Sequence, residues 1–187
     1  FCSDKRALAG LILLGIIVVI AVIGPWISPY PYDGMDTMIS NQGASLTHWF
    51  GTDQMGRDEF TRVLYGARIS LMIGFVATAV NVVIGIIYGG IAGYIGGKVD
   101  MVMMRIVDVI YSVPAMIYII LIMLILGSNV YSVMIGICVN GWVNMARIVR
   151  SEVITLKERE FAVAAFVMGA SKKRILFRHL VVNAMGP

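Results

Sequence analysis

Three stretches of this sequence, 7–32, 69–97 and 109–146, contain no Asp, Glu, Lys or Arg. About 20 apolar residues make a helix long enough to cross roughly 30 Å of hydrocarbon. In lipid every backbone N–H and C=O must find its partner within the chain, so each stretch is expected to be helical. The composition agrees: 59% of residues are hydrophobic, 14% are charged and the mean hydropathy is +0.86. Soluble domains carry about 25% charged residues. Disorder and an ordinary soluble enzyme domain are excluded, and a net charge of +4 is too small to argue for nucleic acid. The expected fold class is all-α, a polytopic membrane helical bundle in a lipid bilayer.

The breaks between helices follow from Pro and Gly. Residues 1–6 form a short polar leader. A first span over 7–25 stops at Pro25, with Pro29 and Pro31 favouring an extended exit. Lys5 and Arg6 ahead of an apolar core would suit a signal peptide. The core is long for one and no small-x-small site precedes the prolines, so the helix is expected to be retained. Residues 26–68 are too polar to span. A second span covers 69–97. The third stretch, at 38 residues, is too long for one crossing. Gly127-Ser128-Asn129 divides it into a turn and helix over 98–126 and a helix over 131–150. Residues 151–187 follow as a cytoplasmic loop.

Four spans put both described ends on one side, and the charges say which. Twelve of the fifteen Lys and Arg lie before the first span, at the second loop or after the fourth span; only Arg57, Arg62 and Arg68 lie in the other loop. The positive-inside rule makes the N-terminus cytoplasmic and 26–68 external. Cys2 and Cys138 are expected to be unpaired.

Within the spans, Gly85, Gly89, Gly93 and Gly97 recur every fourth residue. This is a smooth stripe against which another helix can pack closely, as in GxxxG pairs. Pro114 should bend the third span. Arg105 and Asp108, three apart, can pair on one helix face. Asn81, Asn140 and Asn144 are placed to hydrogen-bond between spans or to face a pathway. No acidic pair or His sits near mid-membrane, which disfavours proton coupling. The thirteen methionines read as packing filler.

In the external segment Phe60, Val63, Leu64 and Ala67 recur at helical spacing, with Asp58, Glu59 and Arg62 on the other face. This predicts a short amphipathic helix leading into the second span. It would lie on the membrane surface or dock an external partner. His48 has no second ligand at metal spacing.

The loop after the fourth span is the most informative. Residues 157–168 predict a helix, Gly169 is its natural C′ residue, and Ser171 can N-cap a second helix from Lys172. That second helix carries Lys172, Lys173, Arg174 and Arg178 on a polar face. Small Ala164 and Ala165 would let another protein approach closely. A basic interfacial helix on anionic headgroups is the plainer alternative.

Here the residues carry a resemblance. Phe161-Ala162-Val163-Ala164-Ala165-x-x-x-Gly169-Ala170-Ser171-x-x-Arg174-Ile175-Leu176-x-Arg178-His179 resembles the EAA loop of ABC-importer permeases, most closely the dipeptide/oligopeptide/nickel group. The same group resembles this chain at Phe50-Gly51-Thr52-Asp53-x-x-Gly56-Arg57-Asp58 and on through Arg62-Val63-x-Tyr65-Gly66-Ala67-Arg68. It does so again at Gly89-x-x-Ala92-Gly93-Tyr94-x-Gly96-Gly97, Asp100, Met104-Arg105-x-x-Asp108 and Pro114. Val163 stands where the Glu that names the loop often stands, and Val182 where a closing Pro is usual.

The resemblance implies an ABC-importer type I permease fold with the last two of six helices absent from this sequence. It implies a permease subunit in a prokaryotic cell membrane. This subunit would form the translocation pathway for peptides or a related small solute such as nickel and couple it to partner ATPases. Glu160, Phe161, Ala164, Ala165, Gly169, Ala170, Ser171 and Arg174 would dock the ATPase. Its implied partners are a second related permease, two ATP-binding subunits that hold the ATP, and an extracellular solute-binding protein. The chain has no GxxxxGK[ST] phosphate loop and no metal motif, so it is expected to be no enzyme and to bind no cofactor itself. A secondary transporter or channel subunit is the alternative; it should show a coupling-ion site or inverted repeats.

Overall fold

The structure is a computed structural model that describes residues 5–184. It is all-α: among the described residues the only extended pairing is an isolated bridge between Thr52 and Asp58. The chain divides into two compact units, one ending at Gly74 and one beginning at Phe75.

The first unit holds helix α1 (Lys5–Ile27), a 3-10 turn (Thr37–Ile39) and the start of helix α2 (Glu59–Ile95). α1 does not stop at Pro25 but runs to Ile27 with Pro25 inside it. A proline in the last turn removes a single helical bond, and the Ser28 N–H still donates to the Gly24 carbonyl at 3.1 Å. Leu11, Leu13 and Val19 are more than half exposed, while Ala21 and Pro25 are buried. A helix apolar on nearly all sides suits lipid as its solvent. Gly24 lets α2 approach: a Cβ there would stand 2.7 Å from Leu64 Cδ2.

Between the two helices, residues 28–58 fold on buried polar bonds. Asp58 lies buried beneath the loop, not on an exposed helix face. Its Oδ2 accepts from the Thr61 amide and hydroxyl at 2.7 Å each, which N-caps α2. Its Oδ1 meets His48 Nδ1 at 2.9 Å, and Thr61 Oγ1 meets Ser28 Oγ at 2.5 Å. Burial raises the Asp58 carboxyl, but the bonds from Thr61 and His48 outweigh it and hold it below the usual aspartate value. Asp53 is also lowered, first by the Arg57 backbone N–H and then by its guanidinium. Gly56, at φ +68°, has room for no side chain, because the Asp36 backbone occupies the place of a Cβ. The expected amphipathic helix is therefore no separate element: Asp58 starts α2, and the helix continues unbroken to Ile95.

The second unit contains the rest of α2, α3 (Gly97–Ser112), α4 (Ala115–Leu126), α5 (Val130–Leu156), α6 (Glu160–Val167), α7 (Lys172–Arg174), a π-helical stretch (Ile175–Leu180) and α8 (Val181–Ala184). The bend expected at Pro114 is a full break. α3 and α4 meet at 78°, with Val113 extended (ψ 124°) as the residue before proline prefers. The carbonyls freed there are satisfied: Tyr118 OH donates to Ile110 O at 3.2 Å and Asn140 Nδ2 to Val113 O at 3.3 Å. Asn129 caps α5 by accepting from the Ser132 amide at 2.9 Å. Gly136 lets α4 come close, with Ile119 Cα 2.8 Å from where its Cβ would be.

Among the described residues three helices, α1, α2 and α5, are each long and apolar enough to span a membrane, and the bent α3–α4 pair makes a fourth if it is taken as one span.

α5 does not end at residue 150; it runs to Leu156. The basic residues that marked its end are paired sideways to α3. Arg150 Nε and Nη2 each stand 2.5 Å from the Asp100 carboxylate, and Arg147 Nη2 stands 2.8 Å from Asp108 Oδ1. Arg147 also lies over the Tyr111 ring at 4.4 Å. Asp108 thus pairs with Arg147 across helices and not with Arg105 on its own. A cation stacked on an aromatic ring and facing the carboxylate from α5 is already held in place.

Candidate docking site

The residues singled out in the sequence fall at two places: the glycine contact that holds α2 to α5, and the helix–turn–helix that follows α5.

Gly85, Gly89 and Gly93 all face α5. A Cβ on Gly85 would meet Met145 Cβ at 2.5 Å, and one on Gly93 would meet the Arg150 carbonyl at 2.7 Å. One on Gly89 would run into the Ala146 carbonyl. The two backbones touch, so small residues are required there. Gly97 departs from the stripe. It is the first residue of α3, at φ +57°, with open space around its missing Cβ. Its role is the turn, because two successive positive-φ residues, Gly96 and Gly97, reverse the chain there.

After α5, the Arg159 backbone opens α6 without a side-chain cap. The helix closes at Met168, and Gly169 follows at φ +82°. The Ala170 N–H reaches back to the Ala165 carbonyl at 3.0 Å, satisfying an end carbonyl. Ser171 accepts from the Arg174 amide at 3.3 Å and starts the next helix. Lys172, Lys173, Arg174 and Arg178 are exposed, while Ile175, Leu176 and Leu180 are buried. The segment does not stand clear of the bundle. Ala162 and Ala165 pack with Ile175, Leu176, Leu180 and Val181 onto Val149 and Val153 of α5.

The candidate docking residues therefore divide. Glu160, Phe161, Ala164, Gly169, Ser171 and Arg174 are exposed. Ala170 is half-buried, and Ala165 is only 4% exposed. Ala165 faces the chain's own core because it lies beside Ala162 on the inner side of a two-turn helix. The sequence reading missed the outer face of α6. Val163, Phe166, Val167 and Met168 are all at least half exposed, an apolar patch on the outside of α6. The unbroken apolar run 161–168 was the available signal: a helix apolar on every side has an inner face and an outer one. A cavity of about 370 Å3 opens beside it, lined by Tyr94, Lys157, Glu158, Ala162, Phe166 and Ile175.

No group of three or more His, Cys, Asp or Glu that could hold a metal occurs among the described residues.

Residues 81–187 match the family model described as binding-protein-dependent transport system inner membrane component. The chain belongs to this family. Residues 1–44 match a second model, the N-terminal TM domain of oligopeptide transport permease C. Among curated relatives, the chain is similar to the oligopeptide transport system permease protein OppC of Bacillus subtilis (strain 168). The two are 42% identical over 186 residues, which is 100% of this chain and 61% of that protein. It is 45% identical over 184 residues to the dipeptide transport system permease protein DppC of the same organism, covering 98% of this chain and 58% of that one. It is 41% identical over 188 residues to OppC of Escherichia coli (strain K12), covering 100% and 62%. The chain thus spans about 60% of the length of the curated relatives it matches. The family match covers the glycine contact, the α3–α4 break and the whole of α5 to α8.

Proposed function

We propose that this chain is the membrane-spanning part of a permease subunit in an ATP-driven importer of dipeptides or oligopeptides. The observation that carries this reading is the element that follows α5. It is a short helix with an exposed apolar outer face, a glycine turn and a basic helix, joined to a span through the core that Ala162, Ala165, Ile175 and Leu180 share with α5. A partner ATPase that seats α6 in a groove would move α5 with it, because Ala162 and Ala165 share one core with Val149 and Val153. Relatives named for oligopeptide and dipeptide transport support the substrate class.

In this reading ATP is bound and hydrolysed by two partner subunits. A second, related permease completes the pathway, and an extracellular solute-binding protein delivers the peptide. The twelve-to-three distribution of basic residues supports a cytoplasmic N-terminus and a cytoplasmic docking segment. ATP binding would draw the ATPases together, the docked helices would follow, and the close glycine contacts would let spans shift as packed bodies between two arrangements.

The test is Gly169→Asp in the assembled transporter. Position 169 has φ +82°, so a side chain strains the turn and a carboxylate adds negative charge beside Lys172 and Lys173. The subunit should still reach the membrane, co-purify at least fivefold less ATPase and lose peptide uptake. Normal uptake of labelled peptide by this variant would overturn the docking role.

A further inference from the structure

Arg150 and Lys157 lie seven residues apart on α5, two turns on one face, and both reach the same place. Arg150 holds Asp100, in the first turn of α3, through two nitrogens at 2.5 Å. Lys157 Nζ donates to the Gly93 carbonyl, in the last turn of α2, at 3.3 Å. The Gly96 N–H takes the Ala92 carbonyl at 3.0 Å, and Gly93 is one of the helix-end carbonyls that lack a helical donor. A cation is the favoured partner there.

Between these two anchors lies the turn Gly96–Gly97. It has little packing of its own: a Cβ on Gly97 would meet nothing within 4 Å, and one on Gly96 only Lys157 Nζ at 3.7 Å. The pair to Asp100 is sheltered, with the carboxylate side chain 13% exposed. Arg150 itself is 33% exposed, close to the 37% of Arg147, but the Asp108 side chain of the neighbouring pair is 52% exposed, so Asp100 is the carboxylate better shielded from water and salt. Lys157 is itself the C-cap of α5, and α6 begins three residues later.

We propose that Arg150 and Lys157 are positioning residues that clamp the α2–α3 turn to the end of α5, so that this turn moves with α6. This rests on α6 being the docking helix. Without the clamp, α6 could shift while the ends of α2 and α3 stayed behind, held only through a two-glycine hinge. With it, one displacement carries three spans.

The experiment uses the complete transporter in lipid vesicles, with wild type alongside. Asp100→Asn should keep its co-purifying ATPase and hydrolyse ATP within about twofold of wild type, yet transport at least tenfold less peptide per ATP. Exchanging the charges, Asp100→Arg with Arg150→Asp, should recover most of that ratio. Lys157→Gln should lower it and Lys157→Arg restore it. Amide hydrogen exchange at 96–100 should rise at least tenfold in Asp100→Asn. Unchanged exchange, a wild-type transport-to-hydrolysis ratio, or a transport loss matched by equal loss of ATPase would each overturn the clamp. Raised exchange beside a wild type that captures no ATPase would leave the clamp standing and sink the importer reading instead.

Discussion

The Tyr118 hydroxyl donates to the Ile110 carbonyl at 3.2 Å, the group whose helical donor would have been the N–H that Pro114 lacks. The break between α3 and α4 is thereby satisfied from one turn further along. In hydrocarbon such a carbonyl has no water to turn to. Tyr118→Phe should therefore cost about 0.5–1.5 kcal/mol, read as a lower midpoint in denaturant unfolding of the detergent-purified subunit. An unchanged midpoint would mean that the Val113 N–H, at 3.4 Å from the same carbonyl, suffices.

The glycine contact gives a sharper test because its controls are built in. Gly89→Leu drives a side chain into the Ala146 backbone, and neither helix can yield without moving the other. Its level in the membrane should drop severalfold. Gly74→Leu, elsewhere on α2 with nothing within 4 Å of its Cβ position, should be produced normally. Equal levels of the two variants would show that the α2–α5 approach tolerates widening.

The loop between α1 and α2 should respond to acid in a definite direction. Asp58 has its carboxyl held below the usual value. Its contribution is therefore fully present above the ordinary aspartate range and is lost as pH falls through the folded-state value. Amide protection at 48–61 should hold level from pH 7 down to about 5 and fall below about 4. In Asp58→Asn the profile should lose most of that acid limb, since Asn still caps α2 but carries no charge toward His48. An acid limb of undiminished size in the Asn variant would assign it to another group.

Much of this architecture can be read from the chain because hydrocarbon imposes simple rules. Uncharged runs of 26–38 residues must be helices, and Gly127 and Pro114 mark where they break. The angle at Pro114 could not be read, since it depends on bonds from Tyr118 and Asn140 that arrive from elsewhere. Nor could the end of α5: Arg147 and Arg150 look like a water boundary until Asp108 and Asp100, 39 and 50 residues away in sequence, are seen to face them. His48 looked solitary for the same reason, its partner Asp58 being brought near by turns at Gly51 and Gly56. The candidate docking segment was legible in its punctuation, Gly169 and Ser171. Which of Ala164 and Ala165 faces out was not, because that depends on how α6 sits against α5.

The π-helical stretch at 175–180 sets a condition of a different kind on this segment. A π turn holds one residue more than an α turn. That surplus residue lets Ile175, Leu176, Leu180 and Val181 all reach the core, where each is at most 7% exposed. A substitution at one of these positions removes one contact. Deleting any single residue between 175 and 180 would rewind the turn and rotate everything after it by about 100°, turning Leu180 and Val181 away from α5 together. The segment therefore tolerates changes of letter better than changes of length. Its spacing, more than any one side chain, is what keeps the basic face outward and α6 seated.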